Sequence, residues 1–119
     1  PKVIDSDLSD IPPAGVKMAG PQGDHADVLK ANQWKKGVQA YLATISFLDD
    51  QVGRLLEGLE KSPRANKTIV VWWTDHGWHL GEKEHWRKFS LWEESTRTSF
   101  AIASPGITQR SSVCNAPVD

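Results

Sequence analysis

The sequence predicts an α/β fold in which a long helix packs on a mostly parallel sheet. Apolar residues recur at spacings of three and four over residues 27–61, a pattern typical of one face of a helix. Residues 68–74 carry apolar side chains on both faces, as a strand does when it is covered on both sides. Residues 99–103 form a second, shorter apolar run. Helix and strands of this kind are typical of layered α/β domains.

The first part of the chain, residues 1–26, is predicted to be an irregular loop segment. Prolines and glycines interrupt it, and no apolar period survives there. The long helix is expected from about Asp27 to Lys61, and Asp24 or Asp27 can cap its start. Pro63 then ends the helix and turns the chain.

The first strand is expected to lead directly into a polar loop over residues 75–90. A short helix at about 91–96 then precedes the second strand. Trp72 and Trp73 lie in the first strand and are expected in the core, whereas Trp78 and Trp86 suit a pocket lining equally well. Because two strands are too few for a stable sheet of this class, we expect the chain to be an internal part of a larger domain.

Composition excludes several classes of function. The 119 residues carry a formal net charge of −1, which argues against a nucleic-acid-binding surface. No apolar run approaches the roughly 20 residues that a membrane-spanning helix needs. Cys114 is the only cysteine, so an internal disulfide and zinc sites built from several cysteines are excluded.

Asp75 and His76 come directly after the first strand. Ligands of α/β sheets bind beyond the carboxyl ends of strands, so the two residues are a candidate metal site. On ligand softness alone, a carboxylate with an imidazole favours Mn, Zn or Fe, whereas calcium prefers oxygen ligands. The alternative is a purely local role, in which Asp75 stabilises the turn and His76 makes a nearby hydrogen bond.

Positive charge follows in the same loop. Lys83, Arg87 and Lys88 could stabilise an oxyanion. For Lys83 and Arg87 the better interpretation is a solvated charged loop, with Glu82 and Glu84 as weak partners. The sequence contains no G-x-S-x-G elbow, P-loop or dinucleotide-binding fingerprint.

Two strings in this region resemble a known family. Residues 74–82 (TDHGWHLGE) and residues 85–93 (HWRKFSLWE) are similar to the second half of type I sulfatases of the iduronate-2-sulfatase-like branch. The helical segment around residues 41–53 and the Ser-Pro-Gly of residues 104–106 also resemble that family. The resemblance covers roughly residues 28–119.

The resemblance implies an alkaline-phosphatase-like α/β fold, one calcium ion and a formylglycine nucleophile. It implies that Asp75 and His76 are metal ligands and that Lys88 is a catalytic residue that contacts the sulfate ester. It also places Trp78 and His79 in the substrate pocket. The chain contains no C-x-P-x-R or S-x-P-x-R segment from which formylglycine is made. Residues 27–119 are therefore expected to be a partial sulfatase catalytic domain, inactive by itself.

The expected function is metal-assisted hydrolysis of a sulfate ester on a sulfated sugar, such as a sulfated uronic acid. Two alternatives stay open. One is a phosphonate or phosphodiester hydrolase of the same superfamily, and the other is a non-catalytic glycan-binding module with tryptophans as a stacking surface. The expected partner is a sulfated carbohydrate or another sulfate ester, with no nucleic acid and no membrane span. The resemblance leaves the compartment open among periplasm, cell exterior and lysosome.

Overall fold

The structure is a computed structural model that describes Ile4 and residues 6–117. Four helices and four strands follow one another along the chain: α1 (Pro13–Ala19), α2 (Asp24–Lys30), α3 (Trp34–Glu60), β1 (Val70–Trp73), β2 (His79–Leu80), β3 (Trp86–Arg87), α4 (Glu93–Thr96) and β4 (Phe100–Ala103). Short 3₁₀ turns lie at Ala65–Lys67 and Glu82–Glu84. This mixture of helix and strand is consistent with the predicted α/β class.

The segment that was predicted to be irregular contains helix α1 and the start of α2. Pro13 occupies the first turn of α1, where a missing backbone N–H costs nothing. Gly20 ends α1 in the left-handed conformation, with a φ of 59°. The prediction of a continuous loop over residues 1–26 is therefore wrong for residues 13–19 and 24–26. Proline and glycine mark the ends of a short helix here.

The single helix predicted over residues 27–61 is two helices. Asn32 adopts a φ of 52°, a left-handed conformation that a right-handed helix does not continue through. The second of the two, α3, has 27 residues and is therefore about 40 Å long. Among the described residues, α3 contains no buried side chain, so its apolar stripe stays largely open to solvent. No helix in the described ranges has both the length and the apolar character that a membrane crossing needs.

The strands pair in the opposite sense to the prediction. β1 and β4 are antiparallel, with Val70 opposite Ala103 and Trp73 opposite Phe100. β2 and β3 form a second antiparallel pair. A parallel pair needs a crossover connection, but residues 74–99 fold as the β2–β3 hairpin and the one-turn helix α4, which reverse the chain. The mostly parallel sheet is thus wrong for the described residues, and the packing of the long helix on such a sheet is not confirmed.

Strand β1 lies at the surface of the described structure. Trp73 is 68% exposed and Trp72 is also exposed. The prediction that both tryptophans lie in the core is wrong for this part of the chain. Their two-sided apolar pattern is that of a covered strand, but among the described residues β1 pairs along its edge with β4 and both tryptophans stay exposed.

The most tightly packed region surrounds the loop that follows β1. Trp34, at the start of α3, donates from its indole Nε1 to the Leu80 carbonyl oxygen at 2.7 Å. The same indole lies against Gly81, where a φ of 114° and the absence of a Cβ permit the close approach. At Gly37, in the next turn of α3, an added Cβ would lie 3.2 Å from the ring of Trp86. The start of α3 therefore packs on the β2–β3 hairpin and holds it beyond the end of β1.

Candidate active site

Three of the predicted site residues meet beyond the end of β1. Asp75 and His76 follow the strand, and Lys88 follows β3. The Lys88 Nζ atom lies 2.8 Å from His76 Nε2, and Asp75 Oδ1 lies 3.6 Å from the same nitrogen. The β2–β3 hairpin makes this possible, because its antiparallel register returns the chain after β3 to the chain before β2. We call these three residues the site cluster.

The hydrogen bonds of His76 define which nitrogen can accept. Nδ1 lies 2.8 Å from the Gly77 carbonyl oxygen, which can only accept, so Nδ1 carries the proton and donates. Nε2 then presents its lone pair. The Lys88 ammonium has three donors and no acceptor, so it donates to that lone pair. In the structure this single lone pair is taken by Lys88, so a metal ion bound at His76 Nε2 would replace the hydrogen bond from the ammonium.

Asp75 and His76 fit a divalent cation as a pair of ligands. Their ligand atoms are 3.6 Å apart, so both can reach one ion at ordinary ligand distances of about 2.0–2.6 Å. The Asp75 side chain is 75% exposed, so an ion can approach it from solvent. In the described part of the chain, no group of three His, Cys, Asp or Glu residues is arranged to hold a metal. The pair can therefore provide only part of a coordination sphere.

The Trp78 ring lies next to the site cluster. It is 37% exposed, its centroid is 6.3 Å from the His76 ring, and it stacks on Tyr41 of α3 at an interplanar angle of 17°. Tyr41 thus lies beside a partly open indole that neighbours His76. The role of Trp78 in a substrate pocket stays a prediction that this placement favours.

His79 lies inside the protein. Its exposed fraction is 0%, and both ring nitrogens bind protein groups. Nδ1 lies 3.0 Å from the Glu82 carbonyl oxygen, and Nε2 lies 2.7 Å from the Ser90 hydroxyl oxygen. Burial lowers the pKa of His79, which keeps the ring neutral. The substrate contact predicted for His79 receives no support from this geometry.

Lys83 and Arg87 pair with carboxylates of the N-terminal segment. Lys83 Nζ lies 2.9 Å from Asp10 Oδ1 and 3.1 Å from Asp7 Oδ1. Arg87 binds Asp24 through two nitrogens, with Nε at 2.7 Å and Nη2 at 3.0 Å. The hydrogen bond between Lys83 and Asp10 lowers the pKa of the carboxyl and raises the pKa of the ammonium. The prediction that glutamates of the same loop are the partners is wrong.

These long-range contacts hold a loop with an unusual backbone. Lys83, Glu84 and Arg87 have φ values of 53°, 49° and 74°, all in the left-handed region that side chains rarely adopt. His85 Nδ1 adds a hydrogen bond to the Ala19 carbonyl oxygen at 2.8 Å. The N-terminal segment, including helices α1 and α2, therefore stabilises the strained turn that precedes Lys88. No local sequence signal identifies these partners, which lie more than 60 residues away.

Two cavities lie away from the site cluster. One of about 180 Å³ lies between residues 18–25 and 84–86, and one of about 540 Å³ lies between residues 4–10 and 82–94. Beside the smaller one, His25 Nδ1, His85 Nε2 and Trp86 Nε1 have no hydrogen-bond partner in the described structure. These three atoms have almost no accessible surface, so they do not face the cavity. Neither cavity is lined by a residue of the site cluster.

Comparison with known proteins agrees with the family resemblance of residues 74–82 and 85–93. The sequence model of the Sulfatase family matches residues 10–119. The chain therefore belongs to the sulfatase family, and the resemblance is confirmed. No solved structure is significantly similar to the chain.

Named relatives are sulfatases of several kinds. A sulfatase from Formosa agariphila is 41% identical over 123 residues, which is 100% of this chain and 24% of the relative. Iduronate 2-sulfatase from Homo sapiens is 44% identical over 70 residues, 59% of this chain and 13% of the relative. Choline-sulfatase from Rhizobium meliloti is 38% identical over 81 residues, 68% of this chain and 16% of the relative. The chain thus spans at most 24% of the length of these three relatives.

Proposed function

We propose that this chain provides one part of the active site of a sulfate ester hydrolase. The observation that carries the proposal is the convergence of Asp75 and Lys88 on His76 Nε2, at 3.6 and 2.8 Å, in a member of the sulfatase family. A carboxylate, an imidazole and an ammonium in one place suit a reaction that develops negative charge on oxygen.

Asp75 and His76 are the residues that would hold a divalent cation, for which the family resemblance implies calcium. Such an ion supplies positive charge that polarises a sulfate oxygen. Only two ligands come from the described residues. Since the chain spans a minor part of its relatives, we propose that the remaining ligands and the formylglycine nucleophile come from sequence outside these 119 residues.

Lys88 is proposed to bind the sulfate group directly. A metal ion on His76 Nε2 would take the lone pair that now accepts from Lys88, which would leave the three donors of the ammonium for sulfate oxygens. A lysine is a compact charge, and its ammonium stabilises an oxyanion most strongly when it is held in place beforehand. The β2–β3 hairpin, which ends directly before Lys88, provides that restraint.

The proposed substrate is a sulfated sugar such as a sulfated uronic acid. Trp78 supports this class, because a partly exposed indole beside the site cluster offers an apolar face to a sugar ring. Relatives are named for iduronate, choline and N-acetylglucosamine sulfates, so the family alone does not select the substrate. The feature that favours a substrate with a sugar ring is the indole of Trp78, which stacks on Tyr41 beside the site cluster.

The experiment that tests the reaction class compares esters on the intact enzyme. We expect turnover of a sulfated uronic-acid disaccharide and of an aryl sulfate, and much slower turnover of the matching aryl phosphate diester. Faster hydrolysis of the phosphate diester would assign the protein to the alternative phosphodiesterase class. Binding of the disaccharide without any turnover would instead support a glycan-binding module.

A further inference from the structure

We propose that His79, Ser90 and Ser95 are positioning residues that set the distance between His76 and Lys88. This proposal rests on the function proposed above. It concerns residues that act on the site cluster indirectly, through hydrogen bonds. The three side chains, which we call the buried network, lie between the segment that carries the metal pair and the segment that carries the lysine.

The buried network is continuous, and its linking member, Ser90, is partly buried. His79 is completely buried and Ser95 is 96% buried. Because the Glu82 carbonyl accepts the proton of Nδ1, the neutral ring leaves Nε2 as acceptor, and the Ser90 hydroxyl donates to it at 2.7 Å. The Ser90 and Ser95 hydroxyl oxygens are 2.8 Å apart. Buried hydrogen bonds of this kind are electrostatically strong and resist distortion.

One end of the network is attached to the metal-binding side. The Gly77 N–H, directly after His76, donates to the Ser95 carbonyl oxygen at 2.7 Å. The two segments approach so closely that a Cβ on Gly77 would overlap the Glu94 carbonyl group. A shift of Ser95 therefore moves the backbone that carries His76.

The other end is attached to the lysine. Ser90 is two residues after Lys88, and its N–H donates to the Lys88 carbonyl oxygen at 2.7 Å. Its hydroxyl reaches His79, whose ring is held edge-on by His85 at 5.0 Å and by Trp92 at 5.9 Å between centroids. The Ser90 hydroxyl therefore links the lysine segment to both other members of the network.

The test uses the intact enzyme and three serine variants. Ser90→Ala removes the linking hydroxyl, and we expect kcat to fall by about 10- to 100-fold with KM changed by less than about twofold. Ser90→Thr keeps a hydroxyl and should retain kcat to within about threefold. Ser112→Ala is the control, because its exposed hydroxyl bonds only the Gln109 carbonyl of its own turn.

A second measurement does not depend on turnover. The ¹⁵N chemical shift of His76 Nε2, followed in metal-depleted enzyme with ¹⁵N-labelled histidine, reports the hydrogen bond from Lys88, because a bound ion would take the same lone pair. We expect this shift to move in Ser90→Ala and to stay in place in Ser90→Thr and Ser112→Ala. An unchanged shift in Ser90→Ala would overturn the positioning role, even if the variant lost stability.

The two proposals fail in different ways. If the wild-type enzyme does not hydrolyse sulfate esters, the proposed function fails, while the shift still decides whether the network positions His76. If Lys88→Ala abolishes turnover but Ser90→Ala changes neither kcat nor the shift, the sulfatase function stands and the positioning role is overturned.

Discussion

The Lys88 ammonium nitrogen lies 2.8 Å from His76 Nε2, the lone-pair nitrogen of a ring whose other nitrogen donates to the Gly77 carbonyl. Twelve residues separate Lys88 from His76 along the chain, and the β2–β3 hairpin closes that separation. Asp75 adds a carboxylate 3.6 Å from the same nitrogen. The fold thus directs three charged or polar groups at one point beyond β1, and that point is where the proposed chemistry takes place.

Removal of the Asp75 carboxylate should weaken metal binding. Asp75→Asn replaces a charged oxygen ligand by a neutral one, so we expect the affinity for calcium to fall at least about tenfold in the intact enzyme. Isothermal titration calorimetry of the metal-depleted protein measures the change.

Glu57→Gln is the matched control for the metal titration. Glu57 is an exposed carboxylate at the far end of α3, paired only with Lys61 at 3.8 Å. Its substitution should leave calcium affinity unchanged. Equal affinity of wild type and Asp75→Asn would remove Asp75 from the set of metal ligands.

Loss of the Lys83 ammonium should destabilise the turn before Lys88. Lys83→Met leaves Asp7, which is only 14% exposed, without its cationic partner. We expect the free energy of unfolding to fall by about 1–3 kcal/mol. Lys61→Met breaks an exposed pair with Glu57 and should cost less than about 0.5 kcal/mol. Urea unfolding of both variants makes the comparison, and equal losses would contradict a stabilising role for the N-terminal partners.

A Cβ at Gly77 should be far more costly than one at Gly58. Gly77→Ala places a methyl group in the space of the Glu94 carbonyl, so the backbone next to His76 must shift. Nothing lies within 4 Å of a Cβ at Gly58, within helix α3. Gly58→Ala should therefore stabilise the helix by about 0.5–1 kcal/mol. Thermal unfolding should lower Tm for Gly77→Ala and raise it slightly for Gly58→Ala; an unchanged Tm for Gly77→Ala would contradict the observed packing.

Stability should decrease as the solution becomes mildly acidic. Burial lowers the pKa of His79 and of His25 below the ordinary 6.5. Between the folded pKa and 6.5 the unfolded chain binds more protons, so the free energy of unfolding falls with decreasing pH in that window. Well above 6.5, where both states are deprotonated, these two groups contribute no pH dependence. Urea unfolding at about pH 7.5 and about pH 5.5 tests this, and His79→Asn should reduce the slope. A stability that rises on acidification would contradict the buried neutral histidines.

Much of the candidate site could be predicted from local sequence. Asp75 and His76 follow an apolar strand, and Lys88 lies in a string typical of sulfatases. The structure brings these residues together because residues 79–87 form a hairpin. The position of β4 was also close to the prediction, at Phe100–Ala103. These features depend on spacing within about 15 residues.

Features that depend on distant contacts could not be predicted. The carboxylate partners of Lys83 and Arg87 lie near the N-terminus, and nothing in the local sequence selects them over neighbouring glutamates. The direction of the β1–β4 pairing has no signature in either strand, because an apolar run suits a parallel or an antiparallel neighbour. The burial of His79 follows from the closure of the hairpin on residues 90–95, which the residue type alone does not reveal.

The activity of Lys88→Ala in the intact enzyme tests the central claim most directly. If Lys88 stabilises the sulfate oxygens in the transition state, kcat for a sulfated substrate should fall by at least about 100-fold, with Tm close to that of wild type. Lys61→Ala, which removes an exposed lysine of the same charge, should retain full activity. A folded Lys88→Ala enzyme with the kcat of wild type would contradict the assignment of this cluster to the active site.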